Sequence, residues 1–175
     1  MKKYIDLWEY AGQILEQVGT AALVTTKADG KVNTMTIGWG TLGVEWKKPL
    51  FTVFVRQSRY TKELLDKNGE FTINVHLKGT DRKQALGFCG SKSGRDVDKI
   101  KELDLHLEEP DVISVPGIKE FHITLECRVV YKQDQDLSLL DKDKRLRYYE
   151  PGTANDGDYH TAYYGEVLAA YIIED

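Results

Sequence analysis

Glu120-Phe121-His122-Ile123-Thr124-Leu125-Glu126-Cys127-Arg128-Val129-Val130-Tyr131-Lys132 is the stretch whose reading decides the fold class. Phe121, Ile123, Leu125, Cys127, Val129 and Tyr131 alternate with His122, Thr124, Glu126 and Arg128, the period-two pattern of a strand with one apolar face. Outward from it the signal recurs. Residues 162–173 read as a last strand, and Glu70 to Val75 as an earlier one, closed off from a short helix at Thr61 to Lys67 by Asn68-Gly69. Leu50 to Val55 is β-branched and aromatic throughout, as expected of a strand covered on both faces. Ala21 to Thr26 and Val32 to Ile37 flank the hairpin signal Ala28-Asp29-Gly30-Lys31. Several strands at hairpin spacing, with few and short helices, predict a mainly β protein: a β-barrel with peripheral helices. A doubly wound α/β fold is disfavoured, because no long amphipathic helices separate the strands.

The remaining segments are arranged around this barrel. Tyr4 to Val18 is expected to be helical within an N-terminal unit of residues 1–19, with Ile5, Trp8, Ala11, Leu15 and Val18 on one face and Gly19 ending it. Residues 134–158 are rich in Asp, Lys and Gly without periodicity, so they are expected to form a surface excursion with one short helix around Leu139 to Tyr148. The acid of this excursion is expected to lie away from any functional site. No repeat or linker divides the chain, and residues 1–175 read as a single domain.

Composition excludes several function classes. The 175 residues carry 24 Lys+Arg against 28 Asp+Glu, a formal charge of −4, so no broad basic face for nucleic acid is expected. The longest uncharged run, Val32 to Val44, falls short of the ~18 apolar residues of a membrane helix. The start, Met1-Lys2-Lys3-Tyr4-Ile5-Asp6, places an acid where a leader's apolar region belongs, which predicts a cytoplasmic protein. Cys89 and Cys127 make no disulfide framework, and His76, His106, His122 and His160 match no metal-ligand spacing, so no metal is expected.

Three segments could carry chemistry. Arg56-Gln57-Ser58-Arg59-Tyr60-Thr61-Lys62 follows a strand and opens a helix, with Ser58 or Thr61 as the cap. In that geometry backbone N–H groups and guanidinium forks can converge on a phosphate, with Lys62 as an extra point charge. The same pattern also suits an ordinary helix start with solvated bases. Val32 to Gly43 holds three glycines around Trp39 (Gly38, Gly40, Gly43), which suits either close approach of a flat ligand or a wide turn with Trp39 in the core. Cys89 to Lys99 combines glycines, hydroxyls and bases. It lacks the Walker spacing, and Cys89 reads as a buried thiol more than a nucleophile. Neither an esterase elbow nor a nicotinamide-binding Rossmann fingerprint is present.

Taken in order, Val32 to Thr41, Phe54 to Thr61 and Cys89-Gly90 through Ser93-Gly94-Arg95 to Lys99 resemble the flavin reductase-like family of FMN-binding split barrels, in particular its flavoredoxin branch. Phe71 to Val75, Leu125-Glu126-Cys127 and Tyr164-Gly165-Glu166-Val167 extend the resemblance over most of the chain; residues 134–158 share least of it. The resemblance implies a homodimer of Greek-key barrels with FMN at the subunit interface. It assigns Arg56, Ser58, Arg59, Tyr60 and Thr61 to the phosphate or its flanks. Thr36, Gly38, Trp39, Gly40 and Thr41 would line the isoalloxazine. Cys89, Ser93, Gly94, Arg95 and Lys99 would close over the cofactor, with Arg95 beside the flavin's electron-rich edge. NADH or NADPH would donate hydride to the flavin, and no side chain need act as acid or base, so no catalytic residue is assigned. The alternatives are a flavoredoxin-type electron carrier served by a redox partner protein, and a split barrel holding another planar ligand such as pyridoxal phosphate or haem.

Overall fold

The structure is a computed structural model and describes residues 1–174. Its centre is an eight-stranded antiparallel sheet. In chain order the strands are β1 (Lys2–Tyr4), β2 (Ala22–Ala28), β3 (Lys31–Ile37), β4 (Gly40–Glu45), β5 (Lys48–Arg56), β6 (Glu70–Val75), β9 (Ile123–Asp134) and β10 (His160–Ile173), while β7 (Leu107–Glu108) and β8 (Gly117–Ile118) make a separate ribbon. The sheet runs β3-β2-β6-β9-β10-β5-β4, with β1 added on β10. The two ends of that path, β3 and β4, are joined by Gly38 and Trp39, so the split in this mainly β split barrel falls at a segment already singled out. The helices are peripheral: α1 (Leu7–Thr20), α2 (Tyr60–Lys67), α3 (Lys83–Ser91), α4 (Lys99–Glu102) and α5 (Lys142–Tyr148).

Two apolar clusters fix these pieces. Val24, Phe51, Val53, Phe71, Ile73, Leu125 and Tyr163 fill the barrel with Ile14 and Val18 of α1. Leu23, Leu86, Cys89, Ile118 and Phe121 form a second cluster outside the sheet, which seats α3 beside β2 and β3.

Several expectations are corrected. Residues 2–4 are a strand, and Asp6 caps a helix that begins at Leu7. The buried face of α1 is Leu7, Ile14, Gln17 and Val18, whereas Trp8 and Leu15 are 50% and 40% exposed. Both stripes are apolar at helical spacing, and packing against β4 and β6 selects between them. Gly40–Glu45 is strand, not a wide turn. Lys119–Phe121 forms a 3-10 turn, and the long strand starts at Ile123. Its polar face is half wrong as well: Thr124 and Glu126 are fully buried, and Tyr131 is exposed. The segment before β8 covers that face, and its Asp111 and Val112 amides each donate to the Glu126 side-chain oxygens at 2.8 Å, which satisfies the buried polar group.

Candidate functional site

Barrel, α3 and the residue 134–159 excursion enclose one cleft of about 360 Å³. Its floor is β3, where Asn33 is buried and Met35 and Thr36 are half-buried. The Arg56–Tyr60 turn forms one wall and the Ser91–Arg95 loop another, and Trp39, Asn155 and His160 close the end.

The β5-to-α2 turn does bring Arg56, Ser58, Arg59, Tyr60 and Thr61 to the cleft. Its internal bonding differs from the expected cap. Arg59 occupies the N-cap position without a side-chain bond. Ser58 instead donates both its amide, at 3.4 Å, and its hydroxyl to the Asp158 carboxylate. Thr61 is buried, accepts from Asn33 Nδ2 at 3.1 Å and so fastens α2 to β3. Arg56 Nη1 donates to the Ala154 carbonyl at 3.2 Å. Lys62 is removed from the cluster by Asp66, one helical turn away at 2.7 Å.

On the opposite wall Thr36 donates to the Leu86 carbonyl at 2.6 Å and ties β3 to α3. Cys89 and Gly90 belong to that helix and not to a loop. Burial pushes the Cys89 thiol up to about 11 against a smaller pull from Lys99, so it is a poor nucleophile. Lys99 is itself buried and donates to the Thr34 and Cys89 carbonyls at 2.9 and 2.8 Å. Burial lowers its pKa, and its role here is to fasten the 89–99 segment to the barrel. Ser93 accepts from the Arg95 amide at 3.2 Å. Arg95 donates to the Ser58 carbonyl at 3.0 Å, pairs with Glu63 and lies 5.5 Å from the Tyr60 ring centroid. Gly94 is required by contact, since a Cβ there would meet Asn33 Cγ at 2.8 Å and Tyr60 Cδ1 at 3.0 Å.

Gly38 and Trp39 line the cleft, but Gly40 and Thr41 lie in an adjoining groove with Leu15 and Val18. Gly40 is needed because a Cβ would press on Phe51 at 2.7 Å, a core reason and not a ligand one.

The excursion is not remote from the site. Trp39 meets Tyr148 edge-on and His160 at tilted rings, with centroids 5.5 and 5.0 Å apart. His160 contacts the Tyr149 hydroxyl at 2.9 Å; burial, helped by the Arg56 guanidinium, lowers it to about 4, so the imidazole is neutral. Sequence reasoning missed Asn155 and His160. His160 pairs with Arg56 in the β5–β10 register, so starting the last strand two residues earlier would have found it. Nothing in the sequence marks Asn155.

Residues 18–175 match the model of the flavin reductase like domain. The chain belongs to that family. Over 100 residues this flavin reductase-like chain is 35% identical to an uncharacterized protein of Archaeoglobus fulgidus, a match covering 57% of the chain and 55% of the relative. The chain thus spans about half of that relative's length. It is similar in structure to a flavoredoxin from Methanosarcina acetivorans, with TM-score 0.66 and 28% identity over 88% of this chain and 68% of that one. An FMN-binding protein from Thermus thermophilus, solved with 1-cyclohex-2-enone, gives TM-score 0.61 and 25% identity over 86% and 68%.

The residues in the cleft fit a phosphorylated planar cofactor. Asn155 is only 7% exposed, yet its buried Nδ2 has no protein partner, and it lines the cleft beside Arg56 and Ser58. A buried amide donor without a partner is costly unless a ligand accepts from it.

Proposed function

We propose that the chain binds FMN in this cleft and acts as an oxidoreductase of flavin reductase type, passing electrons from NADH or NADPH to flavin or to a further acceptor. The observation that carries this reading is the convergence of Arg56, Ser58 and the unpartnered Asn155 amide on a cleft that Trp39 and the Gly38 backbone also line. Bound FMN would supply the hydride and electron chemistry. The chain's own residues hold and orient. Arg56 and Arg59 are the guanidinium donors for the phosphate, with Asn155 as a neutral donor. Gly38 and Trp39 are assigned to the ring, and the Ser93–Gly94–Arg95 loop closes the side. Neutral His160 adds no charge of its own beside the Arg56 guanidinium.

The reading includes a homodimer and a cytoplasmic setting. Leu15 and Trp39, 40% and 41% exposed around the adjoining groove, are the surface we assign to the second subunit. Both cysteines are free, in keeping with a reducing compartment.

The flavoredoxin similarity favours a second reading, an FMN electron carrier that exchanges electrons with a partner protein. The visible spectrum of the purified protein, with and without added FMN, tests the cofactor. A colourless protein that ignores FMN ends both readings. Anaerobic mixing with NADH or NADPH then separates them: rapid bleaching of the flavin supports the reductase, and persistence of the oxidised spectrum leaves the carrier.

A further inference from the structure

Ser58, which lines the cleft, already binds an anion from the chain itself. Both donors of Ser58 are spent on the Asp158 carboxylate. The guanidinium of Arg56 reaches the same segment through the Ala154 carbonyl, and Gln57 donates its amide to the Tyr159 carbonyl at 3.2 Å. Residues 154–159 are therefore latched across the turn that opens α2. The Asn155 amide, nine-tenths buried in this latch, is left without an acceptor. The carboxylate bonds Ser58 and leaves Asn155 Nδ2 without a partner. A phosphomonoester offers three acceptor oxygens and close to two negative charges, enough for the Ser58 donors, Arg56 and Asn155 together.

We propose that Asp158 occupies the phosphate position of the cleft, that a phosphorylated ligand must displace it, and that this residue therefore sets the preference between phosphorylated and unphosphorylated flavins. The proposal rests on the flavin-binding reading above. Two anions at the Ser58 donors repel one another, because the interaction of like charges at about 4 Å is unfavourable even in high dielectric. Displacement is mechanically simple. Asp158 follows Gly157, which has φ +75°, and is held by one local bond from its amide to the Asn155 carbonyl at 2.7 Å. When the carboxylate leaves, the 154–158 latch is released from Ser58 at the moment the phosphate arrives. Riboflavin, with no phosphate, leaves the latch closed.

The test is a fluorescence titration of FMN and of riboflavin against the full chain and the Asp158→Asn and Asp158→Ala variants. Thermal melts confirm that the variants fold. Asn keeps a hydrogen-bond acceptor for Ser58 without the charge, so it tests repulsion even if Ala loosens the loop. The expected result is FMN binding about tenfold tighter in both variants with riboflavin changed by less than about twofold. In the parent chain, FMN but not riboflavin should speed amide exchange across residues 154–158. If both flavins bind the parent and Asp158→Asn leaves FMN affinity unchanged or weaker, the proposal is overturned and the cofactor reading stands. If neither flavin binds any of the three proteins, both are overturned.

Discussion

Trp39 and His160 lie ring against ring, centroids 5.0 Å apart and tilted by 39°, one at the end of β3 and the other at the start of β10. The contact joins the split of the barrel to the excursion that closes over the cleft. Trp39 also takes Tyr148 edge-on, so a single exposed indole anchors both the excursion and the start of β10. Replacing Trp39 with Ala should remove about 0.5–1.5 kcal/mol per aromatic pair. The expected outcome is faster amide exchange over residues 142–158. FMN and riboflavin should both bind more weakly, by about 2- to 10-fold. Equal loss for the two flavins is the mark of an effect at the ring end; loss confined to FMN would place Trp39 at the phosphate instead.

Arg56 should behave in the opposite way. Its guanidinium stands at the α2 end of the cleft and holds the Ala154 carbonyl. A charge-assisted hydrogen bond is worth about 1.5–3 kcal/mol, so Arg56→Ala should weaken FMN binding by roughly 10- to 100-fold. Riboflavin binding should change far less. Equal weakening of both ligands in a flavin titration would mean that the variant has lost the excursion's anchorage and that Arg56 is no phosphate contact.

These two residues were legible in the sequence for different reasons than those near them. Strands such as 50–55 and 70–75 announce themselves because burial imposes period two or continuous β-branching on short runs. Arg56 and Ser58 stand out because bases and hydroxyls cluster where a strand gives way to a helix, and Gly94 because glycine, hydroxyls and bases cluster in the loop after α3. The α1 face was misread because two apolar stripes compete and only the packed barrel chooses Ile14 over Trp8. Thr124 and Glu126 read as solvent-facing, since an outer covering segment leaves no mark on the strand it covers. The excursion was misplaced for a related reason. Its charge pattern resembles a solvated surface, and His160 reaches the site through the long-range register of β10 on β5, with Asn155 just ahead of it in the chain.

Gly94 offers a steric test with a matched control. A Cβ at Gly94 would press on Asn33 and Tyr60, and Asn33 is buried and bonded to Thr61. Gly94→Ala should cost about 1–3 kcal/mol in stability and reduce FMN affinity, because the loop must back away from β3 and α2. Gly87, exposed in α3, has nothing within 4 Å of its added Cβ. Gly87→Ala should therefore stabilise the chain by about 0.5–1 kcal/mol and leave binding alone. Urea unfolding and flavin titration of both variants check the pair; a Gly94→Ala protein as stable as Gly87→Ala would refute the close approach.

Asp66 ties α2 to β9 and β10 and links that contact to acid stability. Burial works to raise its carboxyl, but hydrogen bonds from Lys132 at 2.8 Å, Lys62 at 2.7 Å and Tyr163 at 2.8 Å outweigh it and hold the group at about 2. An unfolded Asp titrates near 3.9, so the folded state binds fewer protons between these values. The stabilisation is complete above about pH 5 and is lost as pH falls through about 2. Asp66→Asn should lower stability at neutral pH by about 1–3 kcal/mol, and toward the lower figure because the side chain is 35% exposed. The difference from the parent should shrink steadily in urea unfolding at successively lower pH. The variant also releases Lys62 and Lys132 from their shared carboxylate. A stability gap that stays constant down to about pH 2 would assign Asp66 a packing role and remove the carboxylate from the account.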